Sequence, residues 1–264
     1  MTFYPKKKIN KKAKFAKKVV LPKATIKAMT KIAQKVVHKD EETKCQSFNS
    51  PVVATDPLVL YNSSISVNAD AGKLMPTIIQ GIDDGMRIGD QVTLQRMNVR
   101  GHLILQATTL VNCRIGVRLM VVQPKRYSNY EDIYSNYTLW MPFLLQNGPV
   151  SQAFVGNVQD LYLPINRNCV TVMYDKIHYL STPQLVTATA IGITSNDLYR
   201  TIKFFDINLK CKNKTAKYQD ANNTPLNYAP VIILGYVHLD GSAYNTFQTD
   251  VAMGYTSTVF YEDA

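Results

Sequence analysis

The chain has 264 residues, 46% hydrophobic and 19% charged, which suits a globular protein with a sizeable core rather than a disordered one. Residues 1–39 hold thirteen lysines and no acidic residue, whereas the rest of the chain has 17 basic and 19 acidic side chains. Because the whole excess charge of +11 is confined to one end, a basic enzyme with its charge spread around a cleft is disfavoured.

The N-terminal arm, residues 1–44, consists of two stretches. Residues 5–18 hold eight lysines in fourteen positions with almost no apolar period, which is typical of an extended or disordered segment. Residues 23–39 place apolar residues at helical spacing while a lysine recurs every fourth position on another face, and Pro22 stands where a helix could begin. This second stretch predicts a short amphipathic helix that is stable only when its apolar stripe packs on something.

The arm is expected to bind single-stranded nucleic acid. A flexible run of lysines neutralises phosphates without fixed geometry, because each ammonium is a point charge rather than a planar fork. Nuclear import is compatible with the same residues, while binding to a membrane surface and a merely solvated tail are the alternatives. The arm residues expected to contact nucleic acid are Lys6, Lys7, Lys8, Lys11, Lys12, Lys14, Lys17, Lys18, Lys23, Lys27, Lys31 and Lys35.

The body, residues 45–264, has the pattern of β-strands throughout. Runs rich in Thr, Val, Ile and Tyr alternate with clusters of Asn, Gly, Pro and Ser, and no long helical period appears. Eight antiparallel strands predict an all-β sandwich or closed barrel. The predicted strands cover 57–68, 90–107, 112–123, 152–163, 168–179, 199–212, 230–239 and 253–262.

Alternation along two of these strands predicts which side chains face the core. In 112–122 every second residue is apolar and Arg114 and Arg118 lie on the opposite face, so this strand is expected to be half buried.

The strand at 91–105 changes phase by one residue near Gln95, which predicts a β-bulge. Beyond the bulge, Arg96 and Arg100 share a polar face with Asn98 and His102. These two arginines are candidates for phosphate contact, with subunit contacts or solvated salt bridges as the alternative.

A long connection, about 124–151, is unusually rich in aromatic residues. Connections of this length are usually functional. The rings are expected to anchor a subunit interface, with a private core under the loop and stacking of unpaired bases as the alternatives. The expected interface residues are Tyr130, Tyr134, Tyr137, Trp140 and Phe143.

No catalytic or metal-binding signature stands out. The four histidines lie more than fifty residues apart, without a second ligand at zinc spacing, and no nucleotide-binding or hydrolase motif occurs. Asp175, Lys176 and His178 form the most enzyme-like set, but alternation puts Asp175 and Lys176 on opposite faces of a strand. The sequence therefore predicts a protein that is not an enzyme, with no metal and no cofactor.

No apolar stretch approaches the roughly 18 residues of a spanning helix, so membrane insertion is not expected. The four cysteines are widely spaced and no secretory signal precedes the lysine run, so the thiols are expected to be reduced.

Three stretches of the body resemble one family of proteins. Gly85 to Leu105, GMRIGDQVTLQRMNVRGHLIL, resembles the second-strand region of capsid proteins from small circular single-stranded DNA viruses, the circovirus-like group. Val172 to Tyr179, VMYDKIHY, resembles a later strand of that family, and Pro230 to Asp263 resembles its last two strands.

The resemblance implies a single jelly roll of two packed four-stranded antiparallel sheets, with about sixty copies closing an icosahedral shell around a single-stranded DNA genome. It also implies a virion protein that visits the host nucleus during assembly and uses the host import machinery. The arm here is entirely Lys, whereas family arms are typically Arg-rich, so DNA and RNA both remain open as the packaged genome. The rival hypotheses are a cellular nucleic-acid-binding β-domain protein with a basic tail, which forms no shell, and a jelly-roll enzyme such as a cupin.

Binding of single-stranded nucleic acid should be steeply salt-dependent and nearly indifferent to sequence. Each neutralised phosphate contributes about −0.7 to the slope of log K against log salt, so thirteen engaged lysines give about −9. Titrations of the full-length protein at a series of salt concentrations measure this slope. A slope near zero, or a strong preference for one oligonucleotide sequence, would contradict the electrostatic account.

Overall fold

The computed structural model describes residues 22, 25–30, 32, 43–50, 71–105, 114–181, 201–219, 222–239 and 251–263. The chain divides into two compact units, Met1–Glu41 and Glu42–Ala264. All the strands that the structure describes belong to the second unit. The predicted strand at 57–68 lies outside the described residues.

The first unit contains a helix, α1, at residues 25–30 and 32, within the stretch where the lysine spacing predicts one. The backbone N–H of Ile26 donates to the carbonyl of Pro22 at 3.1 Å, so the helical hydrogen bonds begin at that proline. Ile26, Met29 and Ile32 are 49%, 56% and 62% exposed. The apolar side chains of this helix are therefore exposed.

Two four-stranded antiparallel sheets pack face to face and enclose the core. Their eight strands are β1 (Lys44–Ser50), β2 (Ala71–Lys73), β3 (Gln91–Leu105), β4 (Arg114–Pro124), β7 (Val170–Ser181), β8 (Ile202–Lys217), β9 (Val231–His238) and β10 (Val251–Asp263). One sheet has the strand order β1-β10-β3-β8 and the other β2-β9-β4-β7. This order interleaves two Greek keys and defines a jelly roll, so the predicted fold class is confirmed.

The predicted bulge in the 91–105 strand is confirmed by its pairing on both sides. On β8 the register shifts between Leu94 and Arg96, and on β10 it shifts at the same place, so Gln95 pairs with neither neighbour. Val92 and Leu94 before the bulge, and Met97 and Val99 after it, all face the core. The extra residue therefore keeps one apolar face buried along a strand whose alternation changes phase.

A long insertion between β4 and β7, residues 125–169, holds the remaining elements. The sequence predicts a loop followed by a strand at 152–163, and this prediction is wrong for part of that range. Residues 158–161 form a 3-10 turn, because Asn157 and Asp160 cap each other there. The elements of the insertion are α2 (Tyr130–Ser135), α3 (Tyr137–Trp140), a 3-10 turn at Met141–Phe143, β5 (Leu145–Asn147), β6 (Val150–Gln152) and a 3-10 turn at Val158–Leu161.

The insertion covers the outer face of β4 and β9, so these two strands are buried on both sides. A Cβ added to Gly116 would lie 2.6 Å from a methyl of Leu161, and one added to Gly235 would lie 2.7 Å from the ring of Phe154. Only glycine allows such close approach of a covering segment to a strand. The prediction that the 112–123 strand is half buried is therefore wrong, because the insertion lies over the side that carries Arg118.

Arg118 is the main polar link between the insertion and the sheet. Its guanidinium is 3% exposed and makes a bidentate pair with Asp175 on β7, at 2.8 and 2.6 Å. The third nitrogen donates to the backbone carbonyls of Asp160 and Leu163, both at 2.7 Å. One buried cation thus satisfies a carboxylate of the sheet and two carbonyls of the segment above it.

Replacing Arg118 with Ala should lower the free energy of unfolding by about 1–3 kcal/mol, because the carbonyls of Asp160 and Leu163 lose their side-chain donor, while the carboxylate of Asp175 is a third exposed and can turn to water. Urea unfolding followed by circular dichroism measures the loss. Arg100→Ala is the matched control: Arg100 also pairs with an aspartate, but both side chains are well exposed, so it should cost at most about 1 kcal/mol. Equal losses for the two variants would contradict this assignment.

Candidate nucleic-acid interface

The arm residues expected to contact nucleic acid lie almost wholly outside the described residues. The exception is Lys27, which lies in α1 and is exposed. Its exposure leaves the ammonium accessible to a phosphate.

The outer side of the β1-β10-β3-β8 sheet, here called the open face, is not covered by the described residues in the way that the other sheet is. Side chains in register across its strands form four rows. From one end of the sheet to the other the rows are Cys45, Phe260, Arg96 and Lys210; Ser47, Thr258, Asn98 and Asn208; Asn49, Thr256, Arg100 and Asp206; and Gly254, His102 and Phe204.

Both arginines predicted to contact phosphate lie on this face and are exposed. The Arg96 guanidinium lies 4.1 Å from the centre of the Phe260 ring, which holds it flat on the sheet. Arg100 donates to a carboxylate oxygen of Asp206 at 3.1 Å, and the two side chains are 70% and 59% exposed. Such an exposed ion pair is weak and exchanges readily for another anion, so its presence does not exclude phosphate contact.

The charge of the open face is moderately positive. Arg96, Arg100 and Lys210 supply three cations against the single carboxylate of Asp206 in the four rows. Glu262 lies beyond the first row, is 5% exposed and accepts a hydrogen bond from Gln95 at 2.7 Å. The face therefore offers cations on one flat surface, in contrast to the nearly neutral body as a whole.

At the fourth row the open face has a shallow groove of about 280 Å³. Gly254 lies at its floor because it contributes no side chain, and Arg100 and His102 line it on one side, opposite Asn49 and Thr256. The ring of Phe204 lies beside that of His102, with centroids 6.2 Å apart, and is 76% exposed. Phe204 is absent from the residues that the sequence singles out. The dipeptide Phe204-Phe205 is a usable signal, because neighbours in a strand face opposite sides and Phe205 fills the core.

The aromatic residues of the insertion are placed differently from the prediction. Tyr130, Tyr137 and Trp140 are at most 3% exposed and belong to the core of this chain, so the prediction that they form a subunit contact is wrong for these three. The physical reason is that the insertion folds back over its own sheet. Tyr134 is partly buried against the core, and Phe143, at 45% exposure, keeps a surface that another subunit could contact.

Tyr130 shows why these rings are structural. Its hydroxyl accepts hydrogen bonds from the backbone N–H groups of Leu74 and Met75, at 3.1 and 2.9 Å, and donates to the carbonyl of Pro230 at 2.7 Å. Burial raises the pKa of this hydroxyl well above its ordinary value. The ring therefore joins the insertion to the segments beside β2 and β9.

Asp175 and His178, from the most enzyme-like set of the sequence, lie on opposite sides of their strand. Asp175 is held by Arg118 under the insertion, whereas His178 faces the opposite side of β7 and is 5% exposed. The Nε2 atom of His178 has no hydrogen-bond partner among the described residues. Burial, together with the charges of Lys176 and Lys203, lowers the pKa of this imidazole. These residues do not form a shared site, and His178 is a buried neutral histidine.

Acidification should therefore destabilise the domain through His178. Its folded pKa is below the unfolded value of about 6.5, so its contribution to stability is complete above that pH and is lost as the pH falls through the folded pKa. Urea unfolding at pH 7.5 and pH 5.5 should show a smaller loss of stability in His178→Asn than in the unaltered protein. His102→Asn, on the open face, is the control and should keep the full pH dependence. Identical curves for all three proteins would contradict the assignment.

Among the residues that the structure describes, no group of three or more His, Cys, Asp and Glu side chains lies close enough to hold a metal ion. In the same residues no helix is both long enough and apolar enough to cross a membrane. No protein-family model and no curated protein matches the chain.

Proposed function

We propose that this chain is the capsid protein of a circovirus-like virus, which self-assembles into a small closed shell and packages a single-stranded DNA genome through its basic arm. The supporting observation is that the excess positive charge and the folded β-domain lie in different parts of the chain. Residues 1–39 hold thirteen lysines and no acidic residue, and residues 40–264, which contain the jelly roll, have a net charge of −2. The chain has no catalytic role in this proposal.

In the packaging mechanism, each arm neutralises phosphate charges of the genome, and assembly of the shell brings many arms together. One arm binds polyanions without reading their sequence, because lysine ammonium groups require no fixed geometry. About sixty arms facing one enclosed volume would place on the order of 800 positive charges around the genome, and such multivalency raises the overall affinity without any new contact. The open face adds cations on a rigid surface.

Location and partners follow from the same proposal. The protein functions in the virion and enters the host nucleus for assembly, where the lysine cluster of the arm serves the host import machinery. Self-association closes the shell, and Phe143 of the insertion, together with the exposed Leu139 beside it, supports a subunit contact there. No membrane insertion is involved.

Deletion of residues 1–39 should separate packaging from folding. The deletion removes thirteen positive charges and ends before the compact unit that starts at Glu42, so a soluble β-rich domain should remain. Negative-stain microscopy and nuclease protection of the purified proteins test this. The full-length protein should form closed particles that protect nucleic acid, and the truncated protein should lose the nucleic acid.

The outcomes distinguish the rival functions. Full-length protein that binds nucleic acid but remains monomeric or dimeric would favour a cellular nucleic-acid-binding protein. Insoluble truncated protein would show that the arm belongs to the core, and truncated protein that still protects nucleic acid would show that the arm is not the packaging element.

A further inference from the structure

The fourth row of the open face combines features that suit an unpaired base. Phe204 presents a ring that is 76% exposed, next to the imidazole of His102 at 6.2 Å. The groove of about 280 Å³ lies on the other side of His102 from Phe204, over Gly254, which has no side chain.

Packing among the residues that the structure describes does not explain the exposed ring of Phe204. Phe205, its neighbour, is 7% exposed and fills the space beneath Gly101, so the core already has its aromatic residue at this level. Phe204 points away from the core, onto a face whose other members are mostly polar. A large ring kept in water beside cationic side chains is the arrangement by which proteins stack bases of single strands.

The cations of the open face lie in rows along the strands, at increasing distance from the Phe204 ring. Arg100 lies one row from Phe204, which is about 7 Å along the strand, and Arg96 with Lys210 lies two rows further, about 20 Å from the ring. A single-stranded nucleic acid that runs along the open face would thus contact the Phe204 ring first and the positive charges after it. The second ring of the face, Phe260, is covered by the guanidinium of Arg96, which leaves Phe204 as the available platform.

We propose that the open face binds a short segment of single-stranded nucleic acid, with one base stacked on Phe204 beside His102 and the following phosphates contacted by Arg100, Arg96 and Lys210. This inference depends on the proposed function only for the identity of the ligand, single-stranded nucleic acid. The site itself requires neither the arm nor the shell. It adds to the arm a contact that depends on the bases rather than on charge alone.

The test compares two ligands of equal length and charge. One is a single-stranded DNA oligonucleotide, and the other is the same deoxyribose-phosphate chain without bases. The full-length protein should bind the base-containing strand about 5- to 150-fold more tightly, which is the stacking contribution of about 1–3 kcal/mol per base. Because stacking is not counterion release, this ratio should persist as salt is raised while both affinities fall.

Variants at Phe204 identify the ring. Phe204→Ala and Phe204→Leu should both bring the ratio close to one, and Phe204→Trp should retain it. The leucine variant keeps an apolar side chain of similar reach, so its effect separates stacking from a general loss of apolar surface. Tyr162→Ala is the matched control, because Tyr162 is 65% exposed and lies on the insertion rather than on the open face. It should leave the ratio unchanged.

Other outcomes would overturn the inference in distinguishable ways. A ratio of one in the unaltered protein, with tight binding of both chains, removes the stacking site and leaves the arm as the binding element. No binding of either chain refutes the proposed function itself. Phe204 variants that change the assembled mass in sedimentation velocity, but not the ratio, would assign the open face to contact with a second copy of this chain.

Discussion

The buried guanidinium of Arg118 fastens the insertion to one of the two sheets. It binds Asp175 on the sheet and the carbonyls of Asp160 and Leu163 above it, all at 2.6–2.8 Å, so charge-assisted hydrogen bonds join the two layers. Asp160 is in turn fully buried, and its side chain accepts from Gln152 and from two backbone N–H groups. Under the insertion, strands β4 and β9 are therefore buried on both faces.

Under the proposed function, the two charged parts of the chain have different tasks. The arm has many charges and only three aromatic residues, so its affinity depends on salt and hardly on the chemistry of the base. The open face has few charges, but strands fix their spacing, and Arg96 and Arg100 are positioned by Phe260 and Asp206. A loose contact of high charge and a rigid contact of low charge complement each other, because the first concentrates the polymer and the second orients it.

The sequence predicts the parts of the fold that follow strict alternation. The long strands β3, β4, β8 and β10, and the bulge at Gln95, are visible because their apolar residues recur at every second position. The insertion is not visible in this way, because its rings carry no periodic signal for the direction they face. Gly116 and Gly235, inside strands, were the available hints that another segment approaches closely. For the same reason the sequence identifies Arg96 and Arg100 but not Phe204. Its exposure depends on which of two adjacent rings, Phe204 or Phe205, packs into the core.

The bulge at Gln95 also sets how this strand tolerates change in length. Before it, even-numbered residues face the core; after it, odd-numbered ones do. Loss of Gln95 itself would restore regular alternation, because Arg96 would then follow Leu94 directly; Met97 and Val99 would stay in the core, and Arg96 and Arg100 would stay on the open face. Loss of one residue elsewhere in the strand, with the bulge kept, would instead turn one part of the strand over relative to the other. Gln95, which pairs with neither neighbour and donates a hydrogen bond to Glu262, is thus the position where this strand can be shortened with its two faces intact.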